Sequence, residues 1–132
     1  MRVLILLPPS EGKTAPSSGP SLDPASLLDA ERLTTPRRMV MSALAEVSRG
    51  PDAASVLGLG PRSAEQATTN LSLETSPCAP AYQLFTGVLY EAADLESIAA
   101  QTTKHGALER HCVIFSGLWG VLSPADSVPN HR

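Results

Sequence analysis

Residues that could bind an anion follow an apolar run near the start of the chain. Ser10 and Lys13 come directly after residues 3–7, and the amine of Lys13 could contact phosphate or carboxylate oxygens. Open α/β sheets bind ligands at the carboxyl ends of their strands, where backbone N–H groups also contribute. The sequence therefore predicts an anion site at this strand end, with a solvated loop as the alternative.

The segment Gly12-Lys13-Thr14 does not complete a phosphate-binding loop of the Walker type. That pattern requires a glycine five positions before Gly12, and Leu7 occupies this position inside the predicted strand. The looser anion site is the interpretation that remains.

A second apolar run, residues 112–116, leads into a turn with two glycines and then into a Ser-Pro-x-Asp turn. Small residues at a strand end let the backbone approach a ligand closely. Asp126 could cap the turn after Pro124 or hold Arg132 in a polar site. The candidate ligand-binding residues of this segment are Ser116, Gly117, Gly120, Asp126 and Arg132.

Catalytic and metal-binding patterns are not recognisable in the sequence. Ser10 and Ser116 could be nucleophiles, but neither lies in a G-x-S-x-G motif and no His/Asp pair is assignable, so hydrogen bonding within turns is the favoured role. The three histidines lack ligand spacing, so no metal and no cofactor are predicted. They are His105 and His111, expected at the surface beside a turn, and His131, which lies beyond the glycine turn.

The elements that must position these residues predict an α/β fold, with a small sheet and several short helices. Strands are expected near residues 3–7 and 112–116, the first buried on both faces because its apolar run is continuous. Thr35-Pro36 and Gly50-Pro51 favour the start and end of one helix. Further helices are expected within 23–33, 61–71 and 94–101, a loop around 76–80, and either a strand or a helix over 82–90.

Composition is typical of one domain without a nucleic-acid footprint of its own. The 132 residues are 42% apolar, and 10 basic residues against 13 acidic ones give a net charge of -3. Cys78 and Cys112 lack a motif partner and are expected to be buried thiols in a reducing compartment, with a disulfide as the alternative. The N-terminal apolar run is too short for export or a membrane span, which predicts a cytoplasmic protein without membrane contact.

Trp119, the single tryptophan, has two interpretations. It could pack in the core or in a cleft wall, or its indole could stack on a nucleobase.

Three blocks in order resemble the YaaA family of bacterial peroxide-stress proteins. The first is the N-terminal strand with residues 8–14, and the second is residues 85–90, an aromatic-x-Gly-x-Leu block. The third, residues 115–126, is similar to the family's Ser-Gly-Leu-Tyr-Gly-x-Leu-x-Pro-x-Asp signature, with Trp119 in place of tyrosine. Residues 129–132 stand where the family continues Pro-Tyr-Arg-Leu and then about as much chain again.

The resemblance implies an incomplete domain, with residues 1–132 forming a single YaaA-like unit truncated at the C-terminus. It also implies a cytoplasmic protein that limits unincorporated iron, and hence oxidative damage, during hydrogen peroxide stress. Family members are associated with DNA binding in a positively charged cleft of an α/β fold. DNA is therefore expected as a partner in the full-length family context but not for this chain alone, and the oligomeric state stays open.

Three functional hypotheses follow. The first is a YaaA-like stress protein, a binding protein rather than an enzyme, whose cleft is lined by Ser10, Lys13, Ser116, Gly117, Gly120, Asp126 and Arg132. The second is a small-molecule enzyme acting on a nucleotide-like or phosphorylated substrate in the same cleft. The third is a non-functional fragment.

Overall fold

The computed structural model describes residues 3–101 and 106–132. Within them the fold is mixed α/β, as the sequence predicts. The strands are β1 (Ile5–Leu7), β2 (Cys78–Pro80), β3 (Cys112–Ser116), β4 (Gly120–Leu122) and β5 (Ser127–Pro129). The α-helices are α1 (Ala30–Arg49), α2 (Ala53–Val56), α3 (Ala81–Leu84), α4 (Val88–Ala93), α5 (Leu95–Ala100) and α6 (Ala107–His111), and 3₁₀ helices span Pro24–Ser26 and Pro61–Leu71.

A three-stranded sheet brings the two predicted strands together. β1 pairs in parallel with β3, and β3 pairs antiparallel with β4, in the order β1-β3-β4. Because β1 and β3 are parallel, their carboxyl ends lie at the same edge of the sheet. The loops that carry the predicted site residues therefore start side by side.

β3 and β4 form a hairpin whose loop is residues 117–119, because Ser116 pairs with Gly120. Gly120 has a φ of 75°, the left-handed conformation that closes three-residue hairpin loops and that favours glycine. The signature turn thus has a backbone requirement of its own, independent of any ligand.

The prediction that residues 3–7 are buried on both faces is wrong for the described chain. Leu7 is buried, whereas Val3, Leu4, Ile5 and Leu6 are all exposed. β1 lies at the edge of the sheet, and the described core covers the face that contains Leu7, Ile114 and Leu122.

Helix α1 begins earlier than the Thr35-Pro36 signal predicts, at Ala30, and contains Pro36 in its interior. A proline there lacks the N–H that would bond the carbonyl four residues before it. The next residue explains why the helix continues, because the buried Arg37 side chain donates to three backbone carbonyls from other parts of the fold. The predicted end at Gly50-Pro51 is confirmed.

The remaining elements follow the sequence in part. Residues 61–71 are helical but of the 3₁₀ type, and α5 lies within the predicted 94–101. The predicted 23–33 helix is a short 3₁₀ turn, capped by Asp23, followed by the start of α1. Residues 82–90 form parts of α3 and α4, and the expected loop at 76–80 contains β2, which pairs with β5.

Both cysteines are buried free thiols, as predicted, and burial raises the pKa of Cys78 and of Cys112. In the described ranges, no helix combines the length and the apolar character needed to cross a lipid bilayer.

Candidate functional site

A cleft of about 320 Å³ opens beside the carboxyl ends of β1 and β3. Its walls come from the loop after β1, from α1, from the β3–β4 hairpin and from the last two residues. They include five of the seven residues that the sequence predicts for the site, namely Ser10, Lys13, Ser116, Gly117 and Arg132.

Lys13 is held in place by backbone pairing on both sides. It forms an isolated antiparallel bridge with Phe85, the Thr14 N–H donates to the Leu84 carbonyl at 2.9 Å, and the Thr86 N–H donates to the Gly12 carbonyl at 3.0 Å. The Lys13 Nζ atom lies 5.7 Å from the centre of the Phe85 ring, within cation–π range. The polar loop that follows β1 is therefore held by backbone pairing to the start of residues 85–90, the second of the three blocks that resemble the family.

The electrostatics of the cleft disfavour a positive charge on Lys13. Burial, and secondly the nearby Arg132, lower the pKa of Lys13 to about 8, against a smaller opposing effect of Glu11. Two cationic side chains thus share one cleft, and Lys13 is still largely protonated at pH 7.

Arg132 is positioned by Asn70, a buried residue that sequence reasoning missed. The Arg132 N–H donates to Asn70 Oδ1 at 2.8 Å, and Asn70 Nδ2 donates to the Arg132 carbonyl at 3.0 Å. The guanidinium then donates to the Glu11 carbonyl at 2.9 Å and to the Gln66 side chain. A lone asparagine in a polar segment carries no sequence signal for this pairing.

His131 lines the same cleft, although it is not among the predicted site residues. Its Nδ1 lies 2.9 Å from the Pro129 carbonyl. Because a carbonyl can only accept, Nδ1 carries the proton and Nε2 has the lone pair of the neutral ring. Burial and the charge on Lys13 lower the pKa of His131 to about 4, so the ring is neutral at pH 7.

The two serines of the cleft form internal hydrogen bonds, as the turn interpretation predicts. Ser10 Oγ donates to the Gly12 carbonyl at 2.8 Å and accepts from the Gly87 N–H at 3.0 Å. A Cβ on Gly87 would lie 2.5 Å from Ser10 Oγ, so only glycine allows this approach. Ser116 Oγ accepts from the Trp119 N–H at 3.1 Å.

Gly120 and Asp126 do not line the cleft. Asp126 is buried, and its Oδ2 accepts from the Leu28 N–H at 2.8 Å and from the Ser123 N–H at 3.0 Å. Of the two roles open to Asp126, the cap of the turn is confirmed and a contact with Arg132 is not found. Burial raises the pKa of Asp126, against the lowering effect of these hydrogen bonds and of Arg37.

Arg37 completes this second polar cluster, which we call the Arg37–Asp126 cluster. Its Nε donates to the Trp119 carbonyl, and its Nη2 donates to the Leu28 and Val121 carbonyls, all at 2.8 Å. The cluster ties α1 to the β3–β4 hairpin and to the turn that follows it. Nothing in the sequence distinguishes Arg37 from its exposed neighbour Arg38.

Trp119 is fully buried, and its ring lies edge-on to His131 at 5.8 Å. Its core interpretation is confirmed, and stacking of its indole on a nucleobase is excluded in this structure. His111 is half-buried and its Nδ1 lies 2.8 Å from the Val3 carbonyl, whereas His105 lies outside the described residues.

Potential metal ligands do not converge in the described part of the chain. No group of three or more His, Cys, Asp or Glu side chains within 3–101 and 106–132 is arranged to hold a metal ion. A second groove of about 390 Å³, lined by Arg38 and Arg49 of α1 and by residues 70–75, contains none of the predicted site residues.

Comparison with known proteins gives consistent matches. A family model described as peroxide stress protein YaaA matches residues 3–132. A UPF0246 protein of Streptomyces coelicolor is 39% identical over 132 residues, and UPF0246 proteins of Corynebacterium glutamicum and Corynebacterium efficiens are each 39% identical over 130 residues. Each alignment covers 98% of this chain but 50% of the relative, so the chain spans about half the length of these proteins. The chain belongs to the peroxide stress protein YaaA family.

Proposed function

We propose that this chain provides the anion-binding cleft of a cytoplasmic YaaA-type protein, which limits unincorporated iron and oxidative damage during hydrogen peroxide stress. Family membership supports the connection with peroxide stress. The observation that carries the anion site is the placement of Lys13 and Arg132 in one cleft.

The energetics of the cleft favour an anionic ligand. Burial and, secondly, the charge on Arg132 lower the pKa of Lys13, and the two side chains repel each other when both are charged. A phosphate or carboxylate placed between them would relieve this repulsion and form charge-assisted hydrogen bonds. Gly117 leaves open space at the wall, since a Cβ there would meet no atom within 4 Å.

The dimensions of the cleft favour a small anion or a single phosphate group. A volume of about 320 Å³ is at the lower end of small-ligand sites, and a duplex does not fit in it. With a net charge of -3, the chain also has no overall excess of positive charge to attract a DNA backbone. DNA binding is therefore proposed only together with the rest of the family's polypeptide, with the cleft contacting one phosphate.

The direct test is phosphate binding by Lys13→Gln, with Arg62→Gln as the matched loss of one exposed positive charge outside the cleft. We expect Lys13→Gln to weaken binding about tenfold, as for loss of one charge-assisted hydrogen bond, and Arg62→Gln to bind normally. Equal affinity in Lys13→Gln and the unmodified chain would overturn the anion site.

The biological test is peroxide survival, with labile iron measured by spin resonance, in a strain that lacks its family member. We expect the chain to restore survival, and Lys13→Gln to restore less than Arg62→Gln at equal soluble expression. If a soluble chain fails while a whole relative succeeds, the stress function requires the other half of the family's polypeptide. Full rescue by Lys13→Gln would separate the stress function from the cleft.

The pH dependence of binding is a sharper signature of Lys13. As the pH rises through about 8, Lys13 loses its proton and phosphate affinity should fall. The other charged or titratable groups facing it are Arg132, Glu11 and His131, and His131 is already neutral there. Lys13→Arg should show no such fall between pH 7 and 9, and an unchanged fall in Lys13→Arg would assign the titration to another group.

A second candidate is an enzyme that acts on a nucleotide-like or phosphorylated small molecule. It is favoured by the lowered pKa of Lys13 beside a neutral His131, since an amine with a pKa of about 8 can exchange protons near neutral pH. Thermal stabilisation by a phosphorylated metabolite, lost in Lys13→Gln, followed by its turnover, would support this function. No stabilisation across a broad panel would count against it.

A further inference from the structure

The three-stranded sheet has two apolar faces, but only one of them is covered. Strand register places Leu7, Ile114 and Leu122 on the core face, where all three are buried. The same register places four apolar residues on the opposite face, which we call the open face, and they are Leu6, Val113, Phe115 and Val121.

The open face is exposed in the described chain. Leu6 is 58% exposed and Phe115 is 46% exposed, and Val113 and Val121 are partly accessible. A sheet with one wet face normally alternates apolar and polar residues, because its outward side chains contact water. All four residues of the open face are apolar, so the sequence is suited to a sheet that is covered on both sides.

The edge of the sheet next to this face is also unpaired. Among the described residues, β1 has a strand partner on one side only, β3, so its other side presents backbone N–H and C=O groups along Ile5–Leu7. Exposed apolar edge strands template the addition of another strand. Val3, Leu4 and Ile5 extend the exposed apolar surface along that edge.

We infer that the open face and the free edge of β1 form the docking surface for the other half of the family's polypeptide. The relatives supply this occupant, since each match covers 98% of this chain and only 50% of the relative. As much polypeptide again as this chain therefore accompanies the same sheet in those proteins. This inference does not depend on the anion site.

The test uses the half of the Streptomyces coelicolor relative that lies outside its match to this chain. That half, carrying a purification tag, is co-expressed with this chain, and the purified material is sized by light scattering. We expect a one-to-one complex. We expect Leu6→Lys or Phe115→Lys to weaken it at least tenfold, because each places a charge in a buried apolar interface.

The matched control is Val56→Lys, which alters another exposed apolar residue, 65% exposed, on α2. This helix packs against α1 and the Pro61–Leu71 helix, away from the sheet. The complex should survive this change. Unfolding of each variant chain alone should show that the substitutions do not damage the fold, since Leu6 and Val56 are more than half exposed and Phe115 is nearly half exposed.

A second measurement covers the case in which the separate halves do not assemble. The two halves are joined in one polypeptide, and Phe115→Cys is labelled with a maleimide in the fusion and in this chain alone. We expect labelling of Phe115→Cys to be at least tenfold slower in the fusion than in this chain alone. Val56→Cys is the control and should react equally in both. Cys78 and Cys112 are buried, and their labelling gives the background.

Three results would overturn the inference. The first is equal labelling of Phe115→Cys in both forms, and the second is a dimer of this chain alone that Leu6→Lys disrupts, which would make a second copy the occupant. The third is the absence of a soluble complex and of a soluble fusion where the whole relative is soluble.

Discussion

The cleft and the Arg37–Asp126 cluster each contain an arginine that donates to a backbone carbonyl, but they differ in how far their charged groups are paired within the chain. In the cluster, Arg37 donates to three carbonyls and Asp126 accepts from two N–H groups, and Arg37 Nη1 is the one side-chain nitrogen of this pair that is buried without a hydrogen-bond partner among the described residues. In the cleft, Lys13 Nζ has one long hydrogen bond to a described residue, 3.5 Å to the Glu11 carbonyl, together with the Phe85 ring and a second cation beside it.

The difference separates residues that build the fold from residues that can bind a ligand. Buried polar groups that are paired within the chain rigidify it, and their removal leaves partners unsatisfied. A cation whose charge is opposed by its surroundings has interaction energy to gain from an incoming anion. Substitutions in the cluster should therefore change stability, and substitutions of Lys13 should change binding.

The largest expected loss of stability follows substitution of Arg37. Its removal leaves three backbone carbonyls without their donor and Asp126 without its cationic neighbour. Arg37→Ala should lower the free energy of unfolding by about 4 kcal/mol, measured by urea denaturation. Arg38→Ala, at the exposed next position of α1, should change it by less than about 0.5 kcal/mol. Equal losses in both variants would contradict the structural role of Arg37.

The pH dependence of stability should come next, through His131. Its pKa falls from 6.5 to about 4 on folding, so only the unfolded state gains the proton as the pH falls from 6.5 towards 4. Stability is therefore complete above pH 6.5 and should decline by roughly 3 kcal/mol across this window.

His131→Phe isolates this contribution, because it removes the titration and keeps an aromatic ring against Trp119 and Phe85. Urea unfolding of both proteins between pH 4 and 7 should show a smaller decline in the variant. The same decline in both would assign the acid sensitivity to groups other than His131. Asp126 would not be one of them, because burial raises its pKa and the folded state therefore gains that proton first as the pH falls.

Loss of the Asp126 carboxylate should have a smaller effect. Asp126→Ala leaves the N–H groups of Leu28 and Ser123 without an acceptor and should cost about 2 kcal/mol of unfolding free energy. Asp52→Ala is the control, because Asp52 is exposed and makes no capping bond. If Asp126→Ala bound phosphate more weakly but kept its unfolding free energy, Asp126 would belong with the cleft residues.

No loss of stability is expected at Lys13. Lys13→Met removes a charge that burial and Arg132 oppose, so the free energy of unfolding at pH 7 should stay the same or rise. In the unmodified chain stability should rise with pH from about 8 towards 10.5, because only the unfolded state retains the proton, and this rise should be absent in Lys13→Met. A large loss of stability at pH 7 would place Lys13 with the structural cluster.

Local sequence signals predicted the elements whose formation depends on near neighbours. The apolar runs at 3–7 and 112–116, the glycine turn between β3 and β4, and the helix stop at Gly50-Pro51 all lie where the sequence places them. The parallel pairing of β1 and β3 then explains why Lys13 and Ser116 line one cleft. The start of α1 was missed because contacts of Arg37 with distant carbonyls outweigh the local signal of Pro36.

The sequence by itself determined the α/β class, the strand positions, the buried thiols and five of the residues that line the cleft, because these depend on composition, periodicity and turn chemistry. Only the tertiary structure decided that Asp126 belongs to a structural cluster, that His131 lines the cleft in its neutral form, and that one face of the sheet is open. These properties depend on which groups meet across 60 to 100 residues of chain, as in the Asp126 bond to Leu28 and the Arg132 bonds to Asn70. These long-range contacts decide whether a side chain is buried and which group it pairs with, and no local pattern encodes them.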